Sequence, residues 1–287
     1  MIAAGRRGWW LVAIATATLF LLAASSAHAR ITQRRTRHHP KPRKVEKIEP
    51  IPGRFYSDRK PIDEFRCVPR GDGEYPIVLL LHGCAPKGFA TAQFETMCSQ
   101  LAQHGYYTMF IEYYGQEGTP DCSDLAMVPS FSLTPNVPIP DDEWMRTLLA
   151  ARNFISAAPK ADPSRLGVVG FSFGATLAVI TAALNPHVFN TIVDYYGYSN
   201  DRVEDAVARA PTFPPTLILH GDEDRRAQVA ASIHLHNVIA KRQPNTDIRI
   251  YPGVEHAFNF HEALGYDEFA SSDAWSLMLA YLDRHLK

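Results

Sequence analysis

The chain has 287 residues, 46% of them hydrophobic and 21% charged, with a formal net charge of −1. Such a composition excludes a collagen-like, coiled-coil or wholly disordered chain. A near-neutral balance also gives no electrostatic footprint for nucleic acid, so none is expected as a partner.

Residues 1–29 read as an export signal. Arg6 and Arg7 give a positive start, Trp9 to Ala24 is an uncharged apolar run, and Ala27-His28-Ala29 is a small-x-small cleavage pattern. Cleavage there would start the mature chain at Arg30, in the periplasm or secreted. The apolar run is short for a membrane span of about 20 residues, and an uncleaved N-terminal anchor is the alternative. The arginine pair raises the twin-arginine route, whose motif the surrounding residues fit poorly. Residues 30–53 are basic and rich in proline, which predicts a disordered linker. That arm has the charge to touch anionic envelope material, although a solvated spacer is the simpler expectation.

From residue 54 to the end, short apolar runs alternate with amphipathic ones. Segment 62–69 reads as an edge strand, and 75–83 and 106–114 as strands buried on both faces. Segment 89–104 has helical spacing, with Phe94, Met97, Cys98 and Leu101 on one face. Residues 115–140 form a long loop rich in Gly, Pro, Asp and Ser. A helix follows over 141–158, then a strand over 165–171 and a helix from 173 to about 184. The remaining expectations are strands at 190–196, 215–220 and 246–251, and helices at 226–241 and near 272–286. Strands alternating with helices imply one α/β domain, with a mainly parallel sheet covered on both faces and no large cap domain.

Within this pattern "GVVGFSFGATLAV" places Ser172 between Gly170 and Gly174, where a strand turns sharply into a helix. Glycines at those two positions relieve crowding, and the turn lifts the hydroxyl to the carboxyl end of the sheet as a candidate nucleophile. The helix start offers the backbone N–H of Phe173 as an oxyanion donor. The loop after strand 75–83 offers the N–H of Cys84 as a second donor. A serine nucleophile needs a base and an acid, in the order Ser, Asp or Glu, His. His256 in "YPGVEHAFNF" fits the base. Asp222, Glu223 and Asp224 compete for the acid, with Asp224 the first choice and Asp222 the second. His220 and His82 each precede a glycine at a strand end and are expected to be structural. Phe171, Tyr195, Tyr198 and Phe258, with Tyr196 nearby, are expected to line an aromatic substrate pocket, while the sheet core is the competing fate of such rings. Cys67, Cys84, Cys98 and Cys122 allow three disulfide connectivities in an exported protein, and Cys122 is a candidate partner for Cys84.

"PIVLLLHGCAP", "GVVGFSFGATLAV", "LILHGDEDRRAQV" and "YPGVEHAFNF" together resemble the four signatures of the dienelactone hydrolase family, in the α/β-hydrolase superfamily. The resemblance spans about residues 60–287. It implies a Ser172–Asp224–His256 triad, an acyl-enzyme route and no metal or organic cofactor. The enzymes that name the family carry cysteine as nucleophile. Serine at 172 makes this chain look like the family's serine esterase branch, acting on a small-molecule ester. A peptidase or acyltransferase on the same triad and a non-catalytic binding protein are the competing readings. The sequence leaves the oligomeric state open.

Overall fold

Tyr75–Leu81 alternates its apolar side chains between two faces. Ile77, Leu79 and Leu81 enter one core, and Val78 and Leu80 enter the other. A strand buried on both sides in this way must be sandwiched between layers of helices. The computed structural model describes residues 46–84, 88, 90–113 and 142–287, and it has that arrangement. The export segment, the arm up to residue 45, the 115–140 loop and Cys122 lie outside the described residues.

The strands are β1 (Ile51–Ser57), β2 (Lys60–Cys67), β3 (Tyr75–Leu81), β4 (Tyr107–Ile111), β5 (Ala161–Phe171), β6 (Thr191–Tyr195), β7 (Thr216–Gly221) and β8 (Asp247–Tyr251). They form one sheet in the order β1-β2-β4-β3-β5-β6-β7-β8. β1 and β2 join antiparallel, as do β2 and β4, and every later pair is parallel. The helices are α1 (Thr91–Gln103), α2 (Asp142–Ser156), α3 (Phe173–Leu184), α4 (Asp201–Arg209), α5 (Val229–Ala240) and α6 (Glu268–Leu286). α2 to α5 pack on one face through residues such as Leu148, Leu177, Val207 and Leu235. α1 and α6 cover the other face through residues such as Phe94 and Met278. This is an α/β-hydrolase fold. Because the parallel strands share a direction, the loops after β3, β5, β7 and β8 meet at one edge.

Two elements differ from the sequence expectation. β1 begins at Ile51, inside the stretch read as linker, so β2 is not the sheet edge. Pro52 and Gly53 argue against a strand, yet an edge tolerates them because one side of its ladder is unpaired. Its turn uses Asp58 and Arg59, both with positive φ, in place of a glycine-based signal. α4 was not expected either. It is a nine-residue helix capped by the Asn200 side chain, which accepts from the N–H groups of Arg202 and Val203.

Cys67 at the end of β2 is disulfide-bonded to Cys98 on α1, and both are fully buried. A bridge closing 31 residues stabilises a fold by about 3–4 kcal/mol in the loop-entropy account. Cys84 is also disulfide-bonded. The expectation that pairs it with Cys122 lies outside the described residues.

Candidate active site

β5 ends at Phe171 and α3 begins at Phe173, which leaves Ser172 alone to turn the chain. It does so at φ 53°, ψ −118°, a conformation L-residues avoid. The turn closes because the flanking glycines have no side chains. A Cβ on Gly170 would lie 2.5 Å from the backbone N of Ala175, and one on Gly174 would lie 2.5 Å from the carbonyl oxygens of Leu81 and His82. The second contact brings α3 against the end of β3, so the Cys84 loop and the start of α3 are neighbours.

The loop after β8 brings His256 over the elbow. Its Nε2 lies 3.0 Å from Ser172 Oγ. On the other side of the ring, Nδ1 lies 2.6 Å from Asp224 Oδ2. Ala257, the next residue, has φ 60°, and Tyr196 below the imidazole has φ 44°. The Tyr196 ring meets the His256 ring edge-on, with centroids 4.6 Å apart. Three non-glycine residues in left-handed conformations thus surround one imidazole, a concentration of strain of the kind found at functional sites.

Asp224 is the acid that reaches His256. Its Oδ1 accepts from the N–H groups of Arg226 and Ala227 at 2.8 and 2.9 Å. Its Oδ2 takes His256 and also lies 3.1 Å from Nε2 of His220. Burial alone would push this carboxyl up. The hydrogen bonds from His220 and His256, the His256 charge and the Ala227 N–H outweigh burial and hold it well below the usual carboxylate range. Asp222 does different work, because its Oδ1 accepts from the Gly253 N–H at 2.6 Å and ties the β8 turn. The two oxygens of Asp224 divide the work, Oδ1 holding the turn that leads into α5 and Oδ2 facing His256.

The aromatic residues expected to wall a pocket are a correction. Phe171 and Phe258 are 1% and 0% exposed. Phe171 packs among Phe94, Tyr195 and Phe260, and Phe258 among Tyr195, Tyr196 and Tyr251. Tyr195 is buried in the same cluster, and Tyr198 packs near Phe173 in the core on the opposite face. These rings bury their faces against each other, which places them in the interior that supports the elbow. His82 is structural, as expected. Its Nδ1–H donates to the Gly83 carbonyl at 2.8 Å, and burial pulls its ring down to about 4.

Behind the site, Asp194 at the end of β6 is 1% exposed. Burial pushes its carboxyl up to about 6, against the opposing effects of the Gly197 N–H and nearby His220. A carboxyl raised from its unfolded value opposes folding once ionised, so its stabilising contribution is full below about pH 4 and lost as pH rises through about 6. Asp194→Asn removes this titration and keeps an acceptor for Gly197. Between pH 4 and pH 8 the wild-type unfolding free energy should fall by about 3 kcal/mol more than the variant's. Urea unfolding at a series of pH values reads this directly, and parallel profiles would refute it.

Residues 62–286 match the dienelactone hydrolase family. A protein named "Putative carboxymethylenebutenolidase" from Methylorubrum extorquens is 28% identical over 224 residues, covering 75% of this chain and 74% of that protein. The crystal structure of dienelactone hydrolase from Anabaena variabilis superposes with a TM-score of 0.63 at 19% identity, over 84% of this chain and 100% of that one. Acylaminoacyl peptidase from Pyrococcus horikoshii gives a TM-score of 0.64 at 19% identity, over 85% of this chain and 43% of that one, a likeness of fold. With a match over most of its length and the fold that goes with it, the chain belongs to the dienelactone hydrolase family and is a hydrolase.

Proposed function

We propose that this hydrolase is an exported serine esterase that works through Ser172, His256 and Asp224. The observation that carries the reading is the unbroken chain of short contacts, 3.0 Å from Ser172 Oγ to His256 Nε2 and 2.6 Å from His256 Nδ1 to Asp224 Oδ2. With Asp224 ionised, His256 Nδ1 carries the proton and donates, which leaves Nε2 bare to accept from the serine hydroxyl. As Oγ attacks an ester carbonyl, Nε2 takes its proton and Asp224 stabilises the resulting imidazolium. The backbone N–H groups of Phe173 and Cys84 are the proposed donors to the oxyanion. The imidazolium then protonates the departing alkoxide. Water, deprotonated by the same imidazole, attacks the acyl-enzyme and releases the acid.

A carboxylic ester is the chosen substrate class because its alkoxide is a better leaving group than the amine of an amide. The name of the Methylorubrum relative points to a butenolide, a cyclic ester that the same steps would open, so lactones belong in the substrate panel. Export rests on residues 1–29, and the paired cysteines support it, because disulfides persist in oxidising compartments. The test is to label the mature protein with a fluorophosphonate and map the adduct by mass spectrometry. The expected result is one adduct on Ser172 that blocks ester hydrolysis. Hydrolysis that survives labelling, or no adduct on Ser172, would overturn the reading.

A further inference from the structure

His220 is the last residue but one of β7, four residues before Asp224, and is completely buried. Its Nε2 faces two acceptors, the Ala227 carbonyl at 2.8 Å and Asp224 Oδ2 at 3.1 Å. Nε2 must therefore carry a hydrogen, whichever state the rest of the ring adopts. Its Nδ1 lies 2.8 Å from Ser232 Oγ on α5, and that hydroxyl in turn reaches the Gly197 carbonyl at 3.3 Å. The ring is thus fixed from behind by a side chain that has no contact with the triad. The charged or titratable groups around it are Asp224 on its own loop, Asp194 on β6 and, beyond Asp224, His256.

We infer that His220 is a positioning residue for the acid: its Nε2–H, clamped by Ser232, holds Asp224 Oδ2 against His256 and draws off part of its negative charge. The inference rests on the esterase reading for its consequence in catalysis, though not for its geometry. Asp224 has four donors for two oxygens, and His220 supplies the one that shares Oδ2 with His256. Remove that donor and two things follow. The carboxylate is free to tilt away from the 2.6 Å contact, and more negative charge stays on the oxygen facing His256. The first lowers kcat. The second favours the imidazolium, so the acid limb of the kcat/KM profile moves to higher pH.

The experiment compares His220→Leu, His220→Gln and Ser232→Ala in the full mature chain. Gln places an amide N–H near the position of Nε2, whereas Leu fills the space without a donor. His220→Leu should lose kcat by on the order of ten- to a hundredfold with KM nearly unchanged. Its acid limb should shift upward, and His220→Gln should recover most of both effects. Ser232→Ala, which frees the back of the ring, should shift the profile in the same direction by less. A readout without substrate is the strongly deshielded proton of the His256–Asp224 hydrogen bond in the NMR spectrum. It should move or broaden in His220→Leu and return in His220→Gln. If His220→Leu fails to fold, Ser232→Ala decides the matter by the same resonance. An unchanged resonance and acid limb in His220→Leu, or in Ser232→Ala where His220→Leu does not fold, would overturn the inference. So would a loss that only follows the unfolding midpoint and that Gln does not repair. A parent protein without esterase activity would count against the proposed function alone, because the resonance is read without substrate.

Discussion

Replacing Ser172 by alanine is expected to lower kcat for ester hydrolysis by roughly a millionfold, about 8 kcal/mol of activation free energy. In the proposed mechanism the hydroxyl oxygen forms the acyl-enzyme, and among the described residues Ser172 supplies the hydroxyl that meets His256 Nε2. Substrate binding should change little, so the loss falls on kcat. The same position also tests the strain at the elbow. Ser172 sits at φ 53°, ψ −118°, which costs an L-residue about 1–3 kcal/mol and glycine almost nothing. Ser172→Gly and Ser172→Ala both remove the hydroxyl and its contact with His256, so the difference between them isolates the backbone. In an ordinary element glycine would be the less stable by about 0.5–1 kcal/mol. Here it should be the more stable by about 1 kcal/mol, or roughly 2–4 °C in Tm. Thermal unfolding of the two inactive variants decides this, and an alanine variant as stable as the glycine variant would show that the elbow stores no strain.

The parts of this molecule that a single sequence conveyed are those written in local pattern. β3 and β5 are unbroken apolar runs because helices cover both their faces, and α3 was placed to the residue because its start is fixed by the glycine-flanked turn. The elbow was legible for the same reason, since Gly170 and Gly174 are needed wherever Ser172 faces outward. What was not legible depends on contacts between distant segments. Pro52 and Gly53 hide β1, because only its place at the sheet edge makes them acceptable. The short helix α4 carries few apolar residues, and its best signal was Asn200 as a cap with Val203 and Val207 one turn apart. The aromatic residues around the elbow were read as pocket wall because sequence cannot tell a ring that faces a cavity from one that faces another ring. Phe171 and Phe258 belong to the second kind. His220 was read as a structural histidine, and its bond to Ala227 is structural. Its contact with Asp224 had one signal, a strand-end histidine four residues before the acid. That signal acquires meaning only once the turn folds the two side chains together.

Asp224→Asn is expected to lower kcat by about ten-thousandfold, while Asp222→Asn stays within about twofold of wild type. Sequence alone left these two acids in competition, and the hydrogen bonds separate them. An asparagine at 224 keeps one oxygen for the N–H groups of Arg226 and Ala227, so the turn should hold its shape. Its amide nitrogen then occupies the place of Oδ2, facing Nδ1 of His256 and Nε2 of His220. A donor there cannot accept from His256. The imidazole must take the opposite tautomer, with its hydrogen on Nε2 pointing at Ser172 Oγ, and it can no longer accept the serine proton. The folded enzyme is retained with a base in the wrong state. At 222 the substitution is nearly silent, because the asparagine oxygen still accepts from the Gly253 N–H and the lost charge lies away from the imidazole. Steady-state kinetics on a nitrophenyl ester, with circular dichroism to confirm folding, separates the outcomes. If Asp222→Asn were the more damaging of the two, the acid would be misassigned and the contact between Asp224 and His256 would be structural only.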